Sequence, residues 1–197
     1  MKQNMIRAAM AAGTAAVLVG AFTIAASPAQ AVDACFGLTA TIVGTENDDT
    51  INGTAGADVI FGLGGADTIL GGAGDDRICA GSGNDLVSGN DGNDAVSGGP
   101  GADHLYGGGG NDTTYGDDGN DVIHGRSGDD IVYGNAGEDA IHGQDGNDVL
   151  RGHAGDDVIL GGHGNDAIFG GDGRDTVGGG SGIDTCHSPK HALGCQL

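Results

Sequence analysis

Nine residues decide the fold of this chain, and their clearest copy is Gly71-Gly72-Ala73-Gly74-Asp75-Asp76-Arg77-Ile78-Cys79. The unit consists of two glycines, a spacer, a third glycine, a second spacer, an aspartate and a short apolar triplet. It is written sixteen times without a gap between Gly44 and His187. Repetition at a fixed short period is the sequence signature of a solenoid, in which each repeat buries its apolar side chain against neighbouring repeats.

Four positions of the unit vary little along the chain. Position one is glycine except at Ala80, and position four is glycine except at Asn47. Position eight is Ile, Val or Leu except at Thr114 and Cys186. Position six is always aspartate: Asp49, Asp58, Asp67, Asp76, Asp85, Asp94, Asp103, Asp112, Asp121, Asp130, Asp139, Asp148, Asp157, Asp166, Asp175 and Asp184.

The residue types within one repeat predict a loop followed by a short strand. Glycines at positions one and four allow positive φ, so the first six residues are expected to form a tight loop. The last three residues, such as Val122-Ile123-His124, predict a minimal strand with its middle side chain inward. Two repeats of opposite facing make one coil of eighteen residues, which stacks Ile51 on Ile69. We therefore predict an all-β fold of two parallel sheets in about eight 18-residue coils.

Composition and charge restrict the partners. Forty-four glycines without any Trp exclude a conventional globular core. The 28 acidic residues against 7 basic ones exclude nucleic acid and anionic membranes and require a cationic partner. Stacked coils place Asp58 over Asp76 and Asp76 over Asp94, where like charges need compensation. Seven gaps between loops on each edge predict up to about fourteen Ca²⁺ sites, because Ca²⁺ accepts oxygen ligands in flexible geometry better than Mg²⁺ does.

The repeat resembles the RTX (hemolysin-type) calcium-binding nonapeptide G-G-x-G-x-D-x-U-x. The resemblance covers 144 of the 197 residues. It implies a parallel β-roll, a right-handed β-solenoid in which the sixth-position aspartates and loop carbonyls hold calcium between turns. The chain departs from the pattern at position two, so individual sites are expected to differ in strength; the replacements include Thr54, Asn90, Asp117, Arg126, Asn135, Gln144 and His153.

The regions outside the repeats are short. Residues 1–31 predict a signal peptide, with Lys2 and Arg7 before an apolar stretch and a small-x-small cleavage site ending at Ala31. The alternatives are a transmembrane anchor and lipidation of Cys35. Residues 32–43 predict a capping strand with Ile42 inward, and residues 188–197 form a tail too short for a catalytic domain.

Four cysteines in a secreted chain indicate disulfide bonds, with three possible pairings. We favour Cys35 with Cys79, which ties the cap to the first coils, and Cys186 with Cys195, which pins the tail. A metal-thiolate site is the rival interpretation, although no C-x-x-C pair is present.

The sequence predicts a secreted, non-enzymatic calcium-binding protein that does not insert into a membrane after processing. An alternative is a cell-surface or matrix adhesion module that calcium stiffens, although the residues name no protein or glycan partner. Weaker candidates are a transition-metal patch at Tyr106, His124 and His142, a glycosidase built on acid pairs such as Asp75-Asp76, and ice binding. Ice binding needs a regular outward row of Thr or Asn, and position three contains no Thr.

Overall fold

The computed structural model describes residues 35–187 and the backbone of residues 192–193. The described residues belong to one compact unit. They form strands and turns without any helix, so this part of the chain has no helix that could span a membrane. The predicted signal peptide (1–31) and most of the predicted tail (188–197) lie outside the described residues.

The described residues form eighteen strands, fourteen of which are six residues long. In chain order they are β1 (Ile42–Val43), β2 (Thr50–Asn52), β3 (Val59–Gly64), β4 (Thr68–Ala73), β5 (Arg77–Ser82), β6 (Leu86–Asp91), β7 (Ala95–Pro100), β8 (His104–Gly109), β9 (Thr113–Asp118), β10 (Val122–Ser127), β11 (Ile131–Ala136), β12 (Ala140–Asp145), β13 (Val149–Ala154), β14 (Val158–His163), β15 (Ala167–Asp172), β16 (Thr176–Ser181), β17 (Thr185–His187) and β18 (Ala192–Leu193).

The strands form two parallel sheets. Odd-numbered strands make one sheet and even-numbered strands the other, and each strand pairs with the next but one. Ile51 is in register with Ile69, and Ile60 with Ile78, eighteen residues later in both cases. This confirms the predicted all-β solenoid of about eight 18-residue coils.

The core is a double column of position-eight side chains between the two sheets. Along most of the solenoid these side chains are completely buried. Ile51 and Cys186, at the two ends of the column, keep 7% and 8% of their surface exposed. Because each repeat contributes one side chain to the core, the stability of the fold depends on the stacking of successive coils.

The predicted length of the strands was wrong. From β3 to β16, each strand continues beyond the apolar triplet through positions one to three of the next repeat, as in Arg77–Ser82. The extension is held by backbone hydrogen bonds between coils, such as Ala73 N–H to Thr54 O (3.1 Å) and Gly74 N–H to Asp91 O (2.8 Å). The turn therefore comprises positions four to six, and the loop edge is narrower than predicted.

The predicted role of the position-one glycine was also wrong. From the third repeat onward, positive φ occurs at positions two and four, as at Gly72 (115°) and Gly74 (113°), and no position-one residue has it. Position one needs glycine for space instead. A Cβ atom on Gly71 would lie 2.5 Å from Asp76 Oδ2 and 2.6 Å from the carbonyl oxygen of Gly89.

The first coil is covered by the segment before it. Strand β1 pairs with β3, which places Ile42 beside Ile60 at the edge of the core. The structure contains the predicted Cys35–Cys79 disulfide bond, with a Cα–Cα distance of 5.8 Å. Cys186 is also disulfide-bonded. Its predicted partner, Cys195, lies outside the described residues.

Candidate metal centres

The sixteen position-six aspartates line the two edges of the solenoid. One edge contains Asp49, Asp67, Asp85, Asp103, Asp121, Asp139, Asp157 and Asp175, and the other contains Asp58, Asp76, Asp94, Asp112, Asp130, Asp148, Asp166 and Asp184. Asp49 is half-buried, and the other fifteen are buried, fourteen of them with 2% or less of their surface exposed. Carboxylates with so little access to water need hydrogen bonds from the protein or a bound cation to balance their negative charge.

One oxygen of these carboxylates is bonded to the preceding coil. From Asp67 onward, each Oδ1 accepts the backbone N–H of the aspartate eighteen residues earlier, as in Asp112 N–H to Asp130 Oδ1 (2.8 Å). The same hydrogen bond recurs in all fourteen pairs at 2.7–3.3 Å. It fixes the orientation of each side chain and aims its second oxygen into the loop.

The second oxygen has no partner in fourteen loops. Among the described residues, the buried Oδ2 atoms without a hydrogen bond belong to Asp67, Asp76, Asp85, Asp94, Asp103, Asp112, Asp121, Asp130, Asp139, Asp148, Asp157, Asp166, Asp175 and Asp184. Their number equals the fourteen gaps between loops that the repeat count predicts. Most buried polar atoms in proteins are hydrogen-bonded, so this regular exception indicates a ligand.

Backbone oxygens come close to the unpaired Oδ2 atoms. The space next to the Cα atom of Gly71 is bounded by Asp76 Oδ2 and by the carbonyl oxygen of Gly89, one coil later. The same pair of oxygens meets at the other position-one glycines from Gly62 to Gly161. A position-one glycine thus leaves a carboxylate oxygen and a carbonyl oxygen unshielded side by side. Hard cations such as Ca²⁺ prefer these ligands.

Side-chain ligands alone do not complete a site. Within residues 35–187, no three His, Cys, Asp or Glu side chains are grouped so that they could hold a metal ion. Any cation between the loops must therefore also bind backbone oxygens, as the glycine-rich composition allows. The same finding leaves the His124 and His142 patch without support as a transition-metal site. His124 instead stacks on Tyr106 with 5.2 Å between ring centroids, and His142 meets His124 edge-on at 5.0 Å.

From Leu63 onward, the replacements at position two keep the loop conformation. Asn90, Asp117 and Arg126, for example, adopt positive φ values of 75°, 77° and 83°. Leu63, which the sequence analysis passed over, does the same at 84°. A non-glycine residue in this region costs about 1 kcal/mol. The loops with these residues keep the same backbone and differ in intrinsic stability.

Burial changes the acidity of the aspartates. It raises the pKa of Asp103, Asp112 and Asp130 to about 7. It raises the pKa to about 6 at Asp76, Asp121, Asp139, Asp148 and Asp157. The N–H bond to Oδ1 lowers each pKa, but burial outweighs it, and carboxylates of adjacent loops raise the pKa further. Without a cation, the folded chain therefore keeps these carboxyl groups protonated up to a higher pH than the unfolded chain does.

Position-five side chains form a separate ladder that the sequence analysis missed. The Oδ1 atom of Asp129 accepts the backbone N–H of Asn147 (2.7 Å), one coil later. On this edge the ladder is continuous through Asp75, Asn93, Asn111, Asp129, Asn147 and Asn165. The two acids of a pair such as Asp75-Asp76 thus have different structural roles. A period-nine search for Asn and Asp at position five would have found this ladder.

The fold and the two columns of buried aspartates define a β-roll with metal-binding loops. The chain matches the family model for the RTX calcium-binding nonapeptide repeat (4 copies) over residues 43–78, 80–114, 115–150, 142–177 and 151–186. These ranges cover well over half of the chain, so the protein belongs to the RTX calcium-binding nonapeptide-repeat family. Its repeats imply calcium binding. No curated protein matches the chain.

Proposed function

We propose that this protein is a secreted, non-enzymatic calcium-binding protein whose β-roll is stabilised by calcium between successive loops. The observation that carries the proposal is the set of fourteen buried Oδ2 atoms without a hydrogen-bond partner in the described chain. Leaving a charged oxygen buried and unpaired is costly. A divalent cation at each of these oxygens would remove that cost.

The residues that would hold calcium come from successive coils. They are the fourteen aspartates from Asp67 to Asp184, with neutral carbonyl oxygens such as that of Gly89 beside Asp76. When bound, Ca²⁺ supplies the positive charge and accepts six to eight oxygens in flexible geometry. The other two predicted ligands, Asp49 and Asp58, use Oδ2 for hydrogen bonds within the protein. The proposal therefore assigns about fourteen ions to fourteen of the sixteen aspartates.

The net charge agrees with that number. Without residues 1–31 the chain has five basic and 28 acidic residues, a net charge of −23. Fourteen divalent ions slightly overcompensate this charge. In the absence of the ions, repulsion between aspartates and the conformational entropy of the many glycines oppose folding. Calcium binding would then supply much of the folding free energy.

Secretion is supported by residues 1–31, which have the composition of a signal peptide and lie outside the described residues. Extracellular calcium is near millimolar, the range in which extracellular calcium modules bind it. The Cys35–Cys79 disulfide bond is also typical of an oxidising compartment. These observations favour a protein that meets calcium after export.

The proposal is tested by counting bound ions. Native mass spectrometry of the chain from Val32 to Leu197, after exchange into millimolar calcium, is expected to show about fourteen ions per molecule. The same protein in equimolar magnesium is the control and is expected to keep few ions, because Mg²⁺ dehydrates reluctantly. A count near zero in calcium, or equal counts for the two metals, would contradict the proposed function.

A second candidate is an interaction module that calcium stiffens. The observation that favours it is a column of rings on the outer face of the odd-numbered sheet. Tyr115 stacks on Tyr133 with 4.9 Å between ring centroids, and the Arg151 guanidinium lies 4.7 Å from the centre of the Phe169 ring. Neighbouring rings and the Arg151 guanidinium cover the ring faces, so the ring edges remain for a partner. Pull-down from extracellular material that retains nothing would argue against this candidate.

A further inference from the structure

The first two loops of the solenoid differ from the other fourteen in backbone conformation. In the fourteen loops from Leu63 onward, the residues at positions two and four both have positive φ. In the first two loops neither position does; the residues there are Thr45 with Asn47 and Thr54 with Gly56. Gly56, at position four of the second loop, could adopt positive φ without strain but does not. Residue type at position four therefore does not explain the difference.

The two threonines bind the aspartate of their own loop. Thr45 donates its backbone N–H (2.6 Å) and its hydroxyl (2.8 Å) to Asp49 Oδ2. Thr54 does the same to Asp58 Oδ2, at 2.7 and 2.8 Å. Each hydroxyl also accepts the backbone N–H of position four at 3.2 Å, which closes the turn. Hydrogen bonds to an ionised acceptor are the stronger kind.

These bonds satisfy the oxygen that is unpaired in every later loop. Ala40 stands eighteen residues before Asp58, so no aspartate precedes Asp58 on its edge, and in the described chain the column on the other edge begins at Asp49. We infer that the first coil closes without calcium. Thr45 and Thr54 supply by hydrogen bonding the compensation that a cation would give to the later aspartates, so residues 41–59 form a metal-independent seed for the solenoid. The inference rests on the proposed function.

Other contacts hold this coil without metal. Thr41 donates its hydroxyl to Asp58 Oδ1 (3.2 Å), where later aspartates accept a backbone N–H of the preceding coil. The same hydroxyl accepts the backbone N–H of Val59 at 2.9 Å. The Cys35–Cys79 bond links the preceding segment to β5. A coil of a solenoid is stabilised by stacking on its neighbour, and folding propagates from one coil to the next. A preformed first coil therefore gives the second coil a surface on which to fold.

Hydrogen exchange of the purified protein in chelator at neutral pH tests the seed. The amides bonded within this coil, those of Thr45, Asn47, Thr54, Gly56 and Val59, are expected to be protected while those of residues 100–180 exchange freely. The double variant Thr45→Val and Thr54→Val removes both hydroxyls and keeps the β-branched shape. It is expected to raise exchange in residues 45–59 at least tenfold, because each hydroxyl bonds an ionised oxygen. Thr45→Ser with Thr54→Ser is expected to retain protection.

The matched control is Thr176→Val, an exposed threonine in β16, which should leave exchange in residues 45–59 unchanged. The calcium count of the double Val variant is expected to remain about fourteen. Sixteen ions on the wild-type protein, or equal exchange of residues 45–59 in the wild-type and Val proteins, would overturn the seed. A chain that binds no calcium but keeps the hydroxyl-dependent protection would refute the proposed function and leave the metal-free first coil standing.

Discussion

In calcium-free buffer the chain is expected to gain β-structure as the pH falls from 7.5 to 5 and to lose it as the pH rises again. The reason is that burial raises the pKa of Asp103, Asp112 and Asp130 to about 7 in the folded state. The unfolded chain titrates near the ordinary value of 3.8. Between these values the folded state binds more protons, so its stability is present at low pH and is lost as the pH rises toward 7.

Each such carboxyl group gives a slope of up to about 1.4 kcal/mol per pH unit in this window, and many groups act together. Calcium is expected to reverse the dependence, because protons and calcium compete for the same oxygens. The measurement is far-UV circular dichroism of metal-stripped protein from pH 7.5 to 5, above the sequence pI of about 4.1. A metal-free chain equally disordered at both limits would show that buried carboxylates are not the barrier to folding.

Replacing Asp130 by Asn is expected to have opposite effects with and without calcium. The carboxamide can still accept the N–H of Asp112, but it places an NH₂ group where the unpaired Oδ2 atom lies. In calcium we expect the loss of at least one bound ion and a decrease of about 3 kcal/mol in the free energy of unfolding, as for a broken buried charge pair. In chelator the variant is expected to fold more readily, because it lacks one buried charge.

Asp129→Asn is the matched control for this experiment. It removes the same charge one residue away, from an exposed side chain. Its Oδ1 acceptor role toward Asn147 is one that asparagine performs at neighbouring rungs such as Asn111. The ion count and the denaturation midpoint are expected to remain those of the wild type. Equal effects of the two substitutions would mean that net charge, and not the position-six oxygen, determines calcium binding.

The period of the repeat determined most of the fold in advance. A spacing of eighteen between stacked apolar residues follows from two repeats per coil, and the register of Ile60 with Ile78 confirms it. Strand length did not follow, because the hydrogen bonds of positions three and four are formed by backbone atoms whose direction depends on φ at position two. Glycine at position one looked like a flexible residue, whereas the structure shows that it provides space beside Asp76 Oδ2.

The candidate site was predictable to a lesser extent. The sequence singled out all sixteen position-six aspartates and the number of gaps between loops. It did not separate Asp49 and Asp58 from the rest, because a Thr at position two reads as one more replacement of glycine. What distinguishes these two aspartates is the threonine hydroxyl that donates to Oδ2. It does so in a turn that lacks the positive φ values of the later loops. A Thr-x-x-x-Asp spacing in the first two loops was the available signal.

The most direct test of the account is a calcium titration of the chain from Val32 to Leu197, followed by far-UV circular dichroism at neutral pH. Chelator and magnesium serve as controls. The account predicts a cooperative gain of β signal near millimolar calcium that magnesium does not reproduce. A β signal already complete in chelator would contradict it, since the fourteen buried carboxylates would then fold without a cation to compensate them.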